Sequence, residues 1–300
     1  NTAVGYQAGY NSNTTGITAL GAYAGQDHTS GAELTAIGYF AAADNTTGGY
    51  NVATGAGSLR LNTTGSYNVA TGFHALYNNT TASNNTAVGF QAGYNNTTGT
   101  RLLALGYHSA LNHTTGNYNT AVGYQSQRNN QTGESNTSLG ENTLYYSTGS
   151  NNTALGRQAL QANTTASSNT AVGYQALFSN TTASQNTAIG YSTLSFNTTG
   201  TYNVAIGGES SSGTTLNVNT TGSYNTAVGM GALKSNTISS YNTALGHQAL
   251  YSSNRTADAN GFNTAIGHQA GYQGTTGQMN TYVGQSAGYY ITNGSKHTIL

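Results

Sequence analysis

The 300-residue chain contains no Cys, no Pro and no Trp, and only seven basic and seven acidic side chains. Without Cys no disulfide can staple the fold, which suits an extracellular protein that does without them and equally a cytosolic one. A formal net charge of zero, thinly spread, removes the electrostatic footprint of a protein that binds DNA, RNA or an anionic membrane. So little charge also fails to supply the repulsion that keeps disordered chains expanded. Large aliphatic residues are scarce and never cluster, and no apolar run approaches the roughly 18 residues of a membrane span. One thick core cannot be assembled from such material. The remaining solution is a thin core drawn out along one axis, each short segment burying a little against its neighbours.

What the chain does have is Asn, Thr, Gly, Ala and Tyr, and they come in order. A unit reading N-T-A-V-G-Y-Q-A-x-Y-x-N-T-T-G-x-Y repeats from end to end, and its central Gly can be followed from Gly5 to Gly284. The spacing is 17, slipping to 16 at Gly21 and Gly156 and widening to 22 before Gly229 and 21 before Gly267. The two long units predict enlarged loops near 208–222 and 252–261 on a single repetitive segment spanning 1–300. The ends fall partway through units, as expected of a window from a longer chain.

Seventeen residues are too few for a helical hairpin repeat, and Gly with Asn-Thr-Thr would break a helix. Alternation is the visible pattern, a strand signal. In Thr-Ala-Val the first and third residues share one face and Ala takes the other. Thr and the aliphatic residue exchange places at Val52/Thr54 and Val69/Thr71, and both are aliphatic at Val204/Ile206. That exchange predicts a Thr/aliphatic pair lining a narrow interior. The Ala and following Gly then form a flat outer surface calling for cover by another copy of the chain. A second small column runs through Ala8, Ala24, Ala92, Ala159, Ala176 and Ala249, and Asn-Thr-Thr-Gly supplies a turn. Each unit thus predicts strand, turn, strand, turn. The expected fold is all-β, a parallel β-solenoid or β-roll of about 18 coils stacked about 4.8 Å apart.

The stretches Asn85 to Ala92, Asn169 to Ala176 and Asn263 to Ala270 carry Asn-Thr-Ala-(Val/Ile)-Gly-x-x-Ala. This pattern resembles the head repeat of YadA-like trimeric autotransporter adhesins and related bacteriophage tail-fibre repeats, and the resemblance covers essentially the whole chain. It implies a left-handed parallel β-roll and three chains per fibre, displayed outside the cell or on a virion. Thr often replaces the first aliphatic of the adhesin pattern here, and Asn-Thr-Thr-Gly lengthens each unit.

Asn-x-Thr triplets recur in phase at Asn13, Asn45, Asn62, Asn79, Asn96, Asn112, Asn130, Asn163, Asn180, Asn197 and Asn219. Each is an N-glycosylation acceptor sequence on a turn expected to be exposed, so the fibre could carry one covalent N-linked glycan per rung. The same residues also serve simply as the turn that the coil needs. The 23 Tyr fall in columns suited either to binding a host-surface glycan or receptor or to packing between rungs. His247 and His268 occupy one coil position in consecutive units, but no Cys, Asp or Glu column accompanies them, so no metal site is assigned. Isolated acidic residues, no Ser/His/Asp in register and no helix to carry a phosphate loop leave catalysis and cofactors without a foothold. Outward Thr rows can match an ice surface, but inward-facing strand Thr argue against that use. The sequence therefore points to a structural fibre segment, extracellular or on a cell or virion surface. It would associate with copies of itself and present an adhesive surface; a self-assembling extracellular glycofibril is the rival.

Overall fold

A computed structural model describes residues 1–208, 214–254 and 260–300. Residues 209–213 and 255–259, which belong to the two enlarged loops, lie outside it. Two compact units are present, Asn1–Ser150 and Asn151–Leu300. Each is a parallel β-solenoid with one short strand per coil and one sequence repeat per turn, and no helix occurs among the described residues.

In the first unit nine strands run from Thr2–Val4 to Thr137–Leu139, centred on Ala3, Ala19, Ala36, Ala53, Ala70, Ala87, Ala104, Ala121 and Ser138. Every pairing is parallel and sets each repeat position against the same position of the next coil: Ala87 opposes Ala104, and Val88 opposes Leu105. The second unit repeats this from Thr153–Leu155 to Thr298–Ile299, with Tyr282 and Ile299 standing where the other strands of this unit have Ala.

The expected facing is reversed. The central residue of each strand from Ala19 to Ser138 is fully buried, while the flanking Thr and aliphatic residues are half-buried or exposed. Val88 is 40% exposed and Leu139 is 52% exposed. Period-two alternation defines two faces without saying which is inside, and shifting that choice by one residue flips every side chain. A coil this short is too narrow to hold two branched side chains per strand. Ala fits inside, and the branched residues stand on the outside, where Thr and Val exchange freely.

The strand-end Gly faces the next coil rather than an outer partner. At Gly106 (φ +126°) a Cβ would fall 2.6 Å from the carbonyl oxygen of Gly123, so only hydrogen fits.

The second half of the coil is not a strand. Around Ala75 the chain turns back, with a bond from Ala75 N–H to Gly72 O and left-handed residues at His74 (φ +54°) and Leu76 (φ +49°). This backbone points successive N–H groups along the axis in opposite directions: His74 donates to Ala56 O and Leu76 to Ala92 O. Each coil is therefore hydrogen-bonded to both neighbours on this side too. Such φ values cost free energy for side-chain-bearing residues, and the stack holds them in place. The Ala75 column and the Leu76 column complete the apolar interior.

Candidate functional site: an outward face over internal asparagine ladders

Polar residues, not only apolar ones, fill the coil. The Asn that opens the motif points inward beside the central Ala. Asn68 Nδ2 donates to Ala82 O at 2.9 Å, and Asn68 Oδ1 accepts Asn85 N–H at 3.0 Å. Asn51, Asn85, Asn119, Asn186 and Asn203 do the same in their coils. This ladder gives buried turn carbonyls and amides the partners they need.

The sequon Asn form a second internal ladder. Asn45, Asn62, Asn79, Asn96, Asn130, Asn163, Asn180, Asn197 and Asn219 are fully buried, which corrects the exposed placement expected from their turn sequence. Asn79 Nδ2 donates to Ala82 O at 3.0 Å and to Asn62 Oδ1 at 2.8 Å; Asn96 and Asn197 bond in the same way. Both amide hydrogens are donated in these residues, so a glycan, which replaces one of them, would have to break a bond of the ladder. Physically, the Asn side chain bridges the turn it makes, and stacking then carries it inside. Asn13 is exposed, and Asn112 is half-buried because His113 takes the ladder position in its coil. Asn112 lies in a shallow groove of about 410 Å³ with Asn78, Asn95, Thr80, Thr97 and Thr114, its Nδ2 donating to Asn129 Oδ1 at 2.8 Å.

Two His substitute for Asn in this ladder. His28 Nε2 lies 2.9 Å from Gly31 O, and its Nδ1 lies 2.9 Å from Asn45 Nδ2. His113 Nδ1 lies 2.9 Å from Asn96 Oδ1, and its Nε2 lies 3.1 Å from Asn119 Nδ2. Those partners assign the proton to Nε2 in His28 and to Nδ1 in His113. Burial pushes the His113 pKa down to about 4 and lowers that of His28 as well.

Four side-chain columns make the outward face over the strands, as in Tyr118, Thr120, Val122 and Tyr124 of one coil. The two central columns hold only Thr and aliphatic residues, without a single charge. The flanking columns carry aromatic stacks: Phe73, Phe90, Tyr107 and Tyr124 succeed one another at 5.3 Å between ring centroids. In the second unit Tyr202, Tyr224, Tyr241 and Phe262 stack at 4.9–5.1 Å. Rings stacked this way cover one another's faces and turn their edges outward, which is packing between rungs.

Cations follow a rule that the sequence reading missed. Arg60, Arg101, Arg128, Arg157 and Lys234 each lie within 6 Å of the ring of a Tyr one coil later: Tyr77, Tyr118, Tyr145, Tyr174 and Tyr251. Reading one repeat ahead of each cation would have found all five. His247 and His268 stack at 5.1 Å, and no group of three His, Cys, Asp or Glu positioned to hold a metal occurs among the described residues. No protein-family model, curated protein or solved structure matches this chain.

Proposed function

We propose that the chain is a structural fibre segment that assembles with copies of itself through the outward Thr/aliphatic face, on the outside of a cell or virion. The observation that carries this reading is the face itself: flat, uncharged at its centre and repeated once per coil. Nine rungs about 4.8 Å apart, each some 20 Å wide, offer roughly 850 Å² per unit. A stable interface uses about 800 Å² per partner. A second copy has the same rung spacing, so its side chains interdigitate in register along the whole face. The resemblance to adhesin head and tail-fibre repeats agrees with this use and with three chains per fibre. The opposite side of the coil, with its Asn/Thr groove, remains free to be presented to a host-surface glycan or receptor.

Sedimentation of the purified chain tests the proposal. The expected result is an oligomer that Thr120→Lys with Val122→Lys converts to a monomer of unchanged circular dichroism. A wild-type chain that stays monomeric at tens of micromolar sinks it. A second reading gains from the corrected facing: strand Thr do point outward in rows, as an ice-binding surface requires. Thermal hysteresis in the monomeric wild-type chain, abolished by Thr120→Lys, would favour that use over assembly.

A further inference from the structure

On the side of the coil away from the strand face, three phenols form an unbroken stack. Tyr251, Tyr272 and Tyr289 occupy one column in consecutive coils, with ring centroids 5.0 and 4.9 Å apart and planes within 14° and 6° of parallel. All three are half-buried, leaving ring edges and hydroxyls open to solvent. Lys234 donates to the Tyr251 hydroxyl at 2.8 Å and fixes the end of the row. The chain has no Cys or Trp and only two Met, so phenols are the main oxidisable groups it offers.

We propose that this column is a site of oxidative tyrosine coupling, in which a peroxidase-type oxidant laces adjacent coils together covalently. Each phenol gives up one electron and its hydroxyl proton to become a phenoxyl radical. Two neighbouring radicals then form one carbon–carbon bond between ring positions ortho to oxygen. Each bonded carbon sheds its hydrogen as the ring regains aromaticity and the phenol is restored. The pair thus loses two ring hydrogens overall, and one hydrogen peroxide takes up the two electrons and two protons to give two waters. Stacking favours the reaction because a radical on Tyr272 has a phenol one coil away on either side. The bond closes a loop one coil long, from Tyr251 to Tyr272 or from Tyr272 to Tyr289, a cross-link of the kind that disulfides supply elsewhere.

The full chain, treated with a haem peroxidase and hydrogen peroxide, should yield dityrosine fluorescence within single chains. Digestion should release Tyr251–Tyr272 or Tyr272–Tyr289 linked peptides, lighter by two hydrogens than the sum of their parts. Tyr272→Phe keeps a ring in the stack, Phe being the residue that stands at this coil position at Phe178, and should abolish both products. Tyr290→Phe removes the most exposed neighbouring phenol and should leave them unchanged. In denaturant the preference should vanish and coupling should scatter over the 23 Tyr. Absence of coupling at these three residues in the native chain overturns the proposal. So does a product pattern equal in native and denatured protein, or one dominated by Tyr290.

Discussion

The side chain of Leu102 stands where a side chain at Gly93 would have to go. A Cβ on Gly93 would fall 3.3 Å from Leu102 Cδ2 and 2.9 Å from Leu76 Cδ2. Leu102 occupies the position of the motif Asn and still donates its N–H to Asn85 Oδ1 at 2.8 Å. Gly93 sits in the column that holds Leu76 and Leu144 elsewhere. One large residue has moved across the core, and a Gly has made way. The same exchange recurs at Leu34 with Gly25, and with Tyr282, whose ring would meet a Cβ on Gly271 at 2.7 Å.

A double-mutant cycle tests this compensation. Gly93→Leu alone overpacks the coil and should cost about 1–3 kcal/mol. Leu102→Asn alone restores a ladder amide but leaves a void beside Gly93, again costing about 1–3 kcal/mol. The double variant recreates the usual coil and should come within about 1 kcal/mol of wild type. Chemical denaturation of the three proteins measures the coupling. Additive losses would show that the two sites do not share space.

Those pairs also mark how far the sequence could be read. The period, the strand position, the turn and the parallel register followed from recurrence alone, because stacking like on like is the only way to bury a unit so short. The parity of the strand did not. A signal for it was present: Ile17, Leu34 and Leu102 replace the motif Asn, and an exchange of Asn with large aliphatics marks an interior position. Buried Asn runs against the general rule that polar side chains stay outside, and only the ladder of partners one coil away makes it affordable. Single-unit reading cannot see that ladder, nor the cation-to-Tyr pairs that span two coils.

Asn79 tests the ladder. Replacing it with Ala leaves Ala82 O with Asn68 as its side-chain donor but takes the ladder amide from Asn62 Oδ1 and the ladder acceptor from Asn96 Nδ2, both buried. One buried acceptor without its donor and one buried amide hydrogen without its acceptor put the loss at about 2–4 kcal/mol. Asn79→Asp should be worse at neutral pH, since a buried carboxylate would face two acceptor oxygens. Amide hydrogen exchange should show the loss confined to the coils around residue 79. When the chain is expressed in a glycosylating host, deglycosylation should change no mass at the nine buried sequons. Wild-type stability in Asn79→Ala would refute the ladder.

His113 gives the fold an acid-sensitive point. Its folded pKa of about 4 lies below the ordinary 6.5, so the native state prefers the neutral ring. Above about pH 6.5 neither state binds the proton and stability is full. Between about 6.5 and 4 the unfolded chain takes up a proton that the folded chain refuses, and stability falls as pH falls. The drop is on the order of 3 kcal/mol. His113→Asn, matching Asn96 and Asn130, should flatten most of this slope, and adding His28→Asn should flatten it further. Denaturation midpoints at pH 7 and pH 4.5 provide the measurement; an unchanged slope in His113→Asn would place the acid sensitivity elsewhere.

Excision of a whole coil separates the register from the local sequence. Removing residues 69–85 joins Asn68 to Thr86, two positions that follow one another in the repeat, because Val69 and Thr86 are register partners. Inward Asn is then followed by outward Thr as before, and the new neighbours meet like on like. Nearest-neighbour stacking predicts a folded protein with its circular dichroism per residue retained and only a small loss of stability. Deleting Ala87 alone removes far less chain but inverts the alternation within one strand, sending Val88 inward and leaving a branched side chain where both neighbouring coils are packed around Ala. That variant should lose the protection of its own coil and of both neighbours in hydrogen exchange. If the single deletion is tolerated and the whole-coil excision is not, the coil is not the unit of this fold.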